Sequence, residues 1–277
     1  MATKSSSIPY FLIDAFAERP FEGNSAVVCL LEAPADPQWM QLVAREMNLS
    51  ETAFVVSRAA GFDLRWFTPT VEVDLCGHAT LASAHALWHH GVAGAGAMVK
   101  FFTRSGELTA RRDGDWIVLD FPSTPAAETV APEVLTSGLG CAPVWIGKSR
   151  FDYLCEFESE AQVRSLAPDM SRLAQLATRG VIATARSKDR FDFVSRFFAP
   201  GAGIPEDPVT GSAHCTLGPY WAERSGKTDL VGWQASERGG LVRVNVRGER
   251  CLLGGRAFTI AEGQLRAKQV PGIPPPS

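Results

Sequence analysis

The chain has 277 residues, of which 45% are hydrophobic and 21% charged, with a formal net charge of −3. At ~100–200 residues per domain this length means two domains or one large one, with enough apolar material for a core that needs no disulfide staples. The slight acidity excludes the basic face that nucleic acid or an acidic membrane requires, and no apolar run approaches the roughly 18 residues that span a bilayer.

Met1–Ser7 is polar and lacks the pattern of a signal peptide, so the cytoplasm is the expected compartment. Strands are expected at 8–16 and 25–31, an outer helix at 37–47, and strands again at 52–57 and 61–67. Residues 77–90, GHATLASAHALWHH, are free of proline and rich in Ala and Leu, which predicts a helix with few charges on any side, the mark of a buried one. His85, His89 and His90 fall in its last turn, where an imidazolium suits the helix dipole, and without a third ligand they make no zinc site. Strands follow at 98–103, 107–111 and 116–121, the last two joined by a hairpin turn at 112–115. The stretch 122–140, rich in Pro, Ala, Thr and Gly, reads as a linker; it divides the chain into 1–122 and 123–277, with the C-terminal segment free to return to the first part. Beyond it come a helix at 159–178, a strand at 191–198, a helix at 211–224 interrupted near Gly218-Pro219, and strands at 241–247 and 257–261, with a second hairpin turn at 246–249. The tail 270–277, VPGIPPPS, reads as extended. Six cysteines without C-x-x-C spacing read as reduced, mostly buried thiols.

The two halves repeat one another. Arg65-Trp-Phe-Thr-Pro matches Arg196-Phe-Phe-Ala-Pro, each preceded by a Phe-Asp pair and followed by a glutamate, Glu72 or Glu206. Five residues after that glutamate stands a glycine, Gly77 or Gly211, which opens an apolar segment ending in Trp88 or Trp221. The offset is 131 residues at the arginines and 134 at the glycines, close to half the chain, as a duplicated domain requires. Each half is then a strand-rich unit holding one apolar helix.

The chemistry falls where the halves match. A helix N-terminus carries unpaired N–H groups and partial positive charge, and glycine lets a ligand come close. Two such starts across a cleft suit a small anion such as a carboxylate. Asp74, Cys76 and His78 flank Gly77, while Glu206, Asp207, Thr210 and Ser212 flank Gly211. The acids and the imidazole transfer protons near neutral pH once burial or neighbours shift them. Glu206 and Asp207, standing before Pro208, also fit a simple turn.

The set Gly23-Asn24-Ser25-Ala26, Asn48-Leu49-Ser50-Glu51-Thr52, Leu75-Cys76-Gly77-His78-Ala79-Thr80 and Glu206-Asp207-Pro208-Val209-Thr210-Gly211-Ser212-Ala213 resembles the phenazine-biosynthesis isomerase (PhzF-like) family from about residue 10 to 265. The resemblance implies an α+β, diaminopimelate-epimerase-like fold: two pseudo-symmetric domains, each a barrel-like, mostly antiparallel sheet around a central helix, with the active site between them. It implies that Glu51 shuttles a proton between substrate carbons, that His78 and Asp207 assist, and that Ser50, Gly77, Gly211 and Ser212 hold the substrate. The family's type member converts a cyclic dihydro-hydroxyanthranilate to an amino-ketone. No metal and no organic cofactor is implied; the partners are a small carboxylate substrate and a second copy of the chain, a homodimer.

Two other readings stay open. The related epimerases use a pair of cysteines; the first falls at Cys76, but the second falls at Thr210, whose hydroxyl is far too weak an acid. That disfavours two-base racemisation and leaves a one-base racemase, epimerase or dehydratase using Cys76. A non-catalytic binding protein that kept the fold is the other.

Overall fold

The computed structural model describes residues 7–266. The tail expected to be extended at 270–277 lies outside the described residues. The first half runs β1 (Ile8–Ala15), β2 (Asn24–Leu31), α1 (Pro37–Met47), β3 (Glu51–Arg58), β4 (Gly61–Phe67), β5 (Glu72–Val73), α2 (Gly77–His89), β6 (Val99–Thr103), β7 (Gly106–Asp113) and β8 (Trp116–Pro122). The second runs β9 (Ala127–Glu128), α3 (Glu133–Leu139), β10 (Trp145–Lys148), β11 (Asp152–Glu156), α4 (Glu160–Ser165), α5 (Met170–Leu173), β12 (Gly180–Arg186), β13 (Phe193–Ala199), β14 (Ile204–Asp207), α6 (Gly211–Ser225), β15 (Asp229–Gln234), β16 (Gly240–Arg247), β17 (Arg250–Gly255) and β18 (Ala257–Leu265).

Strand pairing repeats step for step. β1–β2 is antiparallel, β2–β3 parallel, β3–β4 and β4–β5 antiparallel, β4–β6 parallel, and β6–β7 and β7–β8 antiparallel. β10 to β17 follow the same sequence of senses. β8 joins β17, the strand after β17 closes onto β1, and the strand after β8 closes onto β10. The C-terminal strand β18 thus pairs with β1. The matched sequence features land on matched structural features: Arg65 grips Glu72 through two hydrogen bonds of 2.7 Å, and Arg196 grips Glu206 in the same bidentate way, also at 2.7 Å.

The central helix of each half is α2 or α6. α2 is buried from Gly77 through Ala84 and packs against β1, β2, β3, β8 and β18. An apolar helix of this kind is stable only when surrounded, since no side of it suits water. Outside the sheet, α1 is capped by Asp36, which accepts from the backbone N–H of Gln38 and Trp39. It buries Trp39 and Met40 over Phe54, itself edge-on to Phe67 at 5.6 Å. Truncating such an aromatic to Ala costs about 3–5 kcal/mol.

Several sequence expectations are corrected. α6 runs without interruption from Gly211 to Ser225 although Pro219 lies inside it. Pro219 has no N–H to give the carbonyl of Cys215, and the backbone N–H of Thr124 takes that acceptor at 3.0 Å, so the freed group stays satisfied. The helix expected at 159–178 is instead two short ones, α4 and α5, broken at Leu166, whose ψ is 130, just ahead of Ala167-Pro168. The expected linker at 122–140 contains β9 and α3, and α3 buries Leu135 and Leu139 in the second half's own core. Several strands had no periodic signal; β12, for one, is buried at every position except Arg186, which erases the alternation of a half-exposed strand. The helix dipole does not charge His85 or His90. Burial and neighbouring cations push His85 down to about 4, and burial with His89 lowers His90. His85 contacts Thr259 Oγ1 at 3.0 Å. Among the described residues no helix is long and apolar enough to cross a membrane.

Candidate active site

Glu51, His78 and Asp207 come together, each delivered by a different element. α1 stops at Asn48, whose φ of 50 turns the chain back through Leu49 and Ser50 into β3. The parallel register of β2 and β3 sets Glu51 opposite Ala26, two residues along from Asn24. His78 is the second residue of α2, and Asp207 ends β14. All three are nearly dry, with exposures of 9% for Glu51, 3% for His78 and 7% for Asp207.

Glu51 Oε2 lies 3.1 Å from His78 Nε2. The two pair as ions when the ring is protonated, and neither atom has any further hydrogen-bond partner. Asn24 closes the group: its Nδ2 donates to Asp207 Oδ1 at 2.8 Å and to Val209 O at 3.0 Å, and lies 3.2 Å from His78 Nδ1. Its Oδ1 is likewise buried and unpartnered. Thr210 Oγ1 donates to the other oxygen of Asp207 at 2.5 Å. Gln234 fixes this loop, donating to the carbonyl of Asp207 at 2.7 Å and accepting from the N–H of Thr210 at 2.9 Å. Buried polar atoms are nearly always paired. Asn24 Oδ1 without a partner, beside a Glu51–His78 pair that has no hydrogen bond beyond itself, marks a place where another molecule's polar groups are meant to be.

The two central helices meet here end to end. A Cβ on Gly77 would stand 3.2 Å from Gly211 Cα, and one on Gly211 would stand 3.3 Å from Gly77 Cα, so a side chain at either would force the facing backbone to give by a few tenths of an ångström. Neither helix has a side-chain cap, since Cys76 and Thr210 at the cap positions make no capping bond. Two uncapped N-termini concentrate partial positive charge beside Glu51 and Asp207, an arrangement that favours anions. Ser212, at the start of α6, accepts from Arg179 Nη1 at 2.9 Å. Ser50 is half-buried in the turn before β3, with no hydrogen bond to this group among the described residues.

Burial raises Asp207 to about 6; Glu51 adds to this, while His78, Thr210 and Asn24 pull it back. Burial disfavours a charged His78 ring, but Cys76, Glu51 and the hydrogen bonds to both outweigh it and hold His78 well above its ordinary value. Cys76 is pushed up to about 11, first by burial and then by Glu51, and its Sγ lies 3.5 Å from His78 Nδ1. A thiol so raised is a poor base near neutrality. Cys76→Ala should therefore change any proton-transfer rate by less than about tenfold; a loss of several hundredfold in a rate assay would restore the cysteine reading.

Donor atoms of Glu51, Cys76 and His78 lie within 4.8 Å of one another, close enough to consider a metal. The imidazole is divided between them, however: Nε2 faces Glu51 and Nδ1 faces Cys76. A metal takes the thiolate, and a thiol pushed up to about 11 is a weak ligand at neutral pH. The donor set does not fit a metal as it stands.

Glu206, adjacent to Asp207, points elsewhere, into its bidentate pair with Arg196. Glu206→Gln should lower stability by about 1–3 kcal/mol in a denaturant melt while leaving the turnover of folded protein within a few-fold; a large loss of turnover at unchanged stability would assign it to the chemistry instead. Asn24 stood in a quoted motif without a role, and Gln234 and Arg179 had no sequence signal, since each acts on partners distant in the chain. Two surface cavities, of about 280 and 400 Å³, lie away from this group, beside Tyr220 and beside Trp116.

The chain was compared with known proteins. The sequence profile of phenazine biosynthesis-like proteins matches residues 13–263. An uncharacterised isomerase of Halalkalibacterium halodurans is 50% identical over 259 residues, covering 93% of this chain and 98% of that one. The crystal structure of a PhzF-family phenazine biosynthesis protein from Enterococcus faecalis superposes with a TM-score of 0.89 at 41% identity, over 93% of this chain and 98% of that one. A hydroxyproline epimerase of Agrobacterium vitis shares the fold alone, with a TM-score of 0.65 at 11% identity over 98% of this chain and 95% of that one. The architecture is the epimerase-like α+β fold expected from the motifs.

Proposed function

The chain belongs to the phenazine biosynthesis-like protein family, and we propose that it is a cofactor-independent isomerase that moves a proton between two carbons of a small amino- or hydroxy-substituted carboxylate. The observation that carries this reading is the buried pair of Glu51 Oε2 and His78 Nε2, with no hydrogen bond beyond itself, and the unpartnered Asn24 Oδ1, beside two uncapped helix N-termini. Glu51 removes a proton from an sp³ carbon conjugated to a double bond, and the electron pair shifts along the conjugated system. The same carboxyl then returns the proton at the far carbon. Bonds and charge balance with no oxidant or second reactant. His78 and the ionised Asp207 hold the polar groups of the substrate and the charge that develops on them, and the Glu51 carboxyl, 9% exposed, trades its proton with solvent before returning one. The reading includes units at 1–122 and 123–277 with β18 crossing back, and, from the family resemblance, a homodimer acting in the cytoplasm.

In heavy water, the wild-type protein should place deuterium on one carbon of dihydro-hydroxyanthranilate or of one member of a panel of amino- and hydroxy-carboxylates, followed by NMR. Absence of label in every compound, in a protein that binds one of them, would sink the isomerase and leave a binding protein.

A further inference from the structure

Several arginines of the chain answer to a carboxylate. Arg65 pairs with Glu72, Arg179 with Asp152, Arg196 with Glu206, Arg238 with Asp14 and Arg250 with Asp120. Arg112, Arg243 and Arg256 differ. Among the described residues none of them has a carboxylate partner, and each lies over an indole instead. Arg243 stands 3.6 Å and Arg256 4.7 Å from the centre of the Trp116 ring, and Arg112 stands 5.1 Å from that of Trp88. A guanidinium over a ring engages through its face, which leaves the N–H groups along its edge free to donate. One such group, Arg256 Nε, is buried without any hydrogen-bond partner, a costly state for a charged donor.

Strand register gathers these side chains around one cavity. Arg112, Ile117 and Gly255 form a row across β7, β8 and β17, and Trp116 and Arg256 adjoin the last two. Where the chain leaves β17 for β18, a cavity of about 400 Å³ is lined by Arg112 and Arg256, with Trp116, Ile117 and Phe258 as its apolar wall. Arg243 stacks on that Trp116. Asp115 is the one carboxylate in the lining among the described residues, so the three guanidiniums leave a surplus of two positive charges. His85, also in the lining, adds none, since burial and neighbouring cations keep it neutral near pH 7. Glu51, His78 and Asp207 take no part in this cavity.

We infer that this cavity binds a phosphate dianion between the guanidinium edges of Arg112 and Arg256, at a site separate from the acid/base group and independent of the isomerase reading. The charge surplus matches a doubly charged group, and a phosphate offers three oxygens to the two guanidinium forks. Phosphate arrives either free or on an organic ester. The volume falls within the ~300–1,000 Å³ of small-molecule sites, more than a phosphate alone fills. The wall of Trp116, Ile117 and Phe258 suits a flat apolar group beside the phosphate.

The test titrates the full chain at pH 8 by calorimetry with phenyl phosphate, inorganic phosphate and benzenesulfonate, the last a singly charged group of similar shape. Phenyl phosphate should bind about tenfold tighter than benzenesulfonate. Arg256→Met and Arg112→Met keep an apolar stem and remove the charge. Each should weaken phenyl phosphate by about tenfold or more, with thermal melts verifying that the variants are folded. Arg250→Met removes a charge that is paired with Asp120 and lies outside the cavity, and should leave the affinity within about twofold. Phenyl phosphate bound more tightly than inorganic phosphate would uphold the site and assign it to an organic ester; equal or weaker binding would uphold it and assign it to free phosphate. No binding of either phosphate at millimolar concentration would overturn the proposal, as would equal affinity for benzenesulfonate. Binding unchanged in both arginine variants would overturn it by placing the anion elsewhere, the helix starts beside Glu51 included. An equal loss in Arg250→Met would overturn it by showing a general effect of charge.

Discussion

Glu51→Gln is expected to slow deuterium entry by about 10²–10⁴-fold, the range over which a positioned general base contributes. The change keeps the shape of the side chain and removes only its ability to take and hold a proton. Binding should survive, because the uncapped starts of α2 and α6 are untouched. The loss therefore falls on kcat and leaves KM within a few-fold. The fold should survive too. Glu51 Oε2 loses only its contact with His78 Nε2, and the substitution takes a charge out of a site only 9% exposed. It also removes one of the influences that raise His78, whose titration should move down, visible as a shifted imidazole resonance. Label that still enters at the wild-type rate in folded Glu51→Gln protein would end the role assigned to Glu51 and redirect attention to Cys76 and Asp207.

Asp207→Asn should trade activity for stability. In the folded protein Asp207 is raised from 3.8 to about 6 by burial. A carboxyl raised on folding favours the folded state while it is protonated, and that contribution is lost as pH climbs from about 4 through 6. Above pH 7 the buried charge costs up to roughly 3 kcal/mol. Asparagine avoids that cost but faces the Thr210 hydroxyl with an N–H₂ or disturbs Asn24, which returns about 1 kcal/mol. The variant should thus melt several degrees higher than wild type at pH 8 and show no gain at pH 4, measured by calorimetry across pH. Activity should move the other way. The wild-type kcat/KM should rise with pH through about 6 as Asp207 ionises, and Asp207→Asn should lose about 10²-fold and flatten that limb. An acid limb retained in the variant would show that another group sets it.

The motif glycines, Glu51, His78 and Asp207 were legible because each sits in a short local pattern, and the pairing of Arg65 with Glu72 and of Arg196 with Glu206 was foreshadowed by two matched runs of sequence. Pro219 misled, because its local effect is to break a helix, whereas the compensation comes from Thr124 in a distant segment. Asn24 gave no sign of its role, since it acts on Asp207, 183 residues away. Nothing in the sequence around Arg179 marks it; only the tertiary structure makes it the neighbour of Ser212, 33 residues later.

The sequence by itself therefore determined what repeats with a short period or a short motif: the duplication, the two buried helices and the motif residues Glu51, His78 and Asp207 that the fold brings together. Tertiary structure alone decided which of those residues touch, which of their atoms stay unpaired, and where their protonation lies. Those properties depend on burial and on partners brought together across the whole chain, and neither leaves a trace in the spacing of neighbours along it.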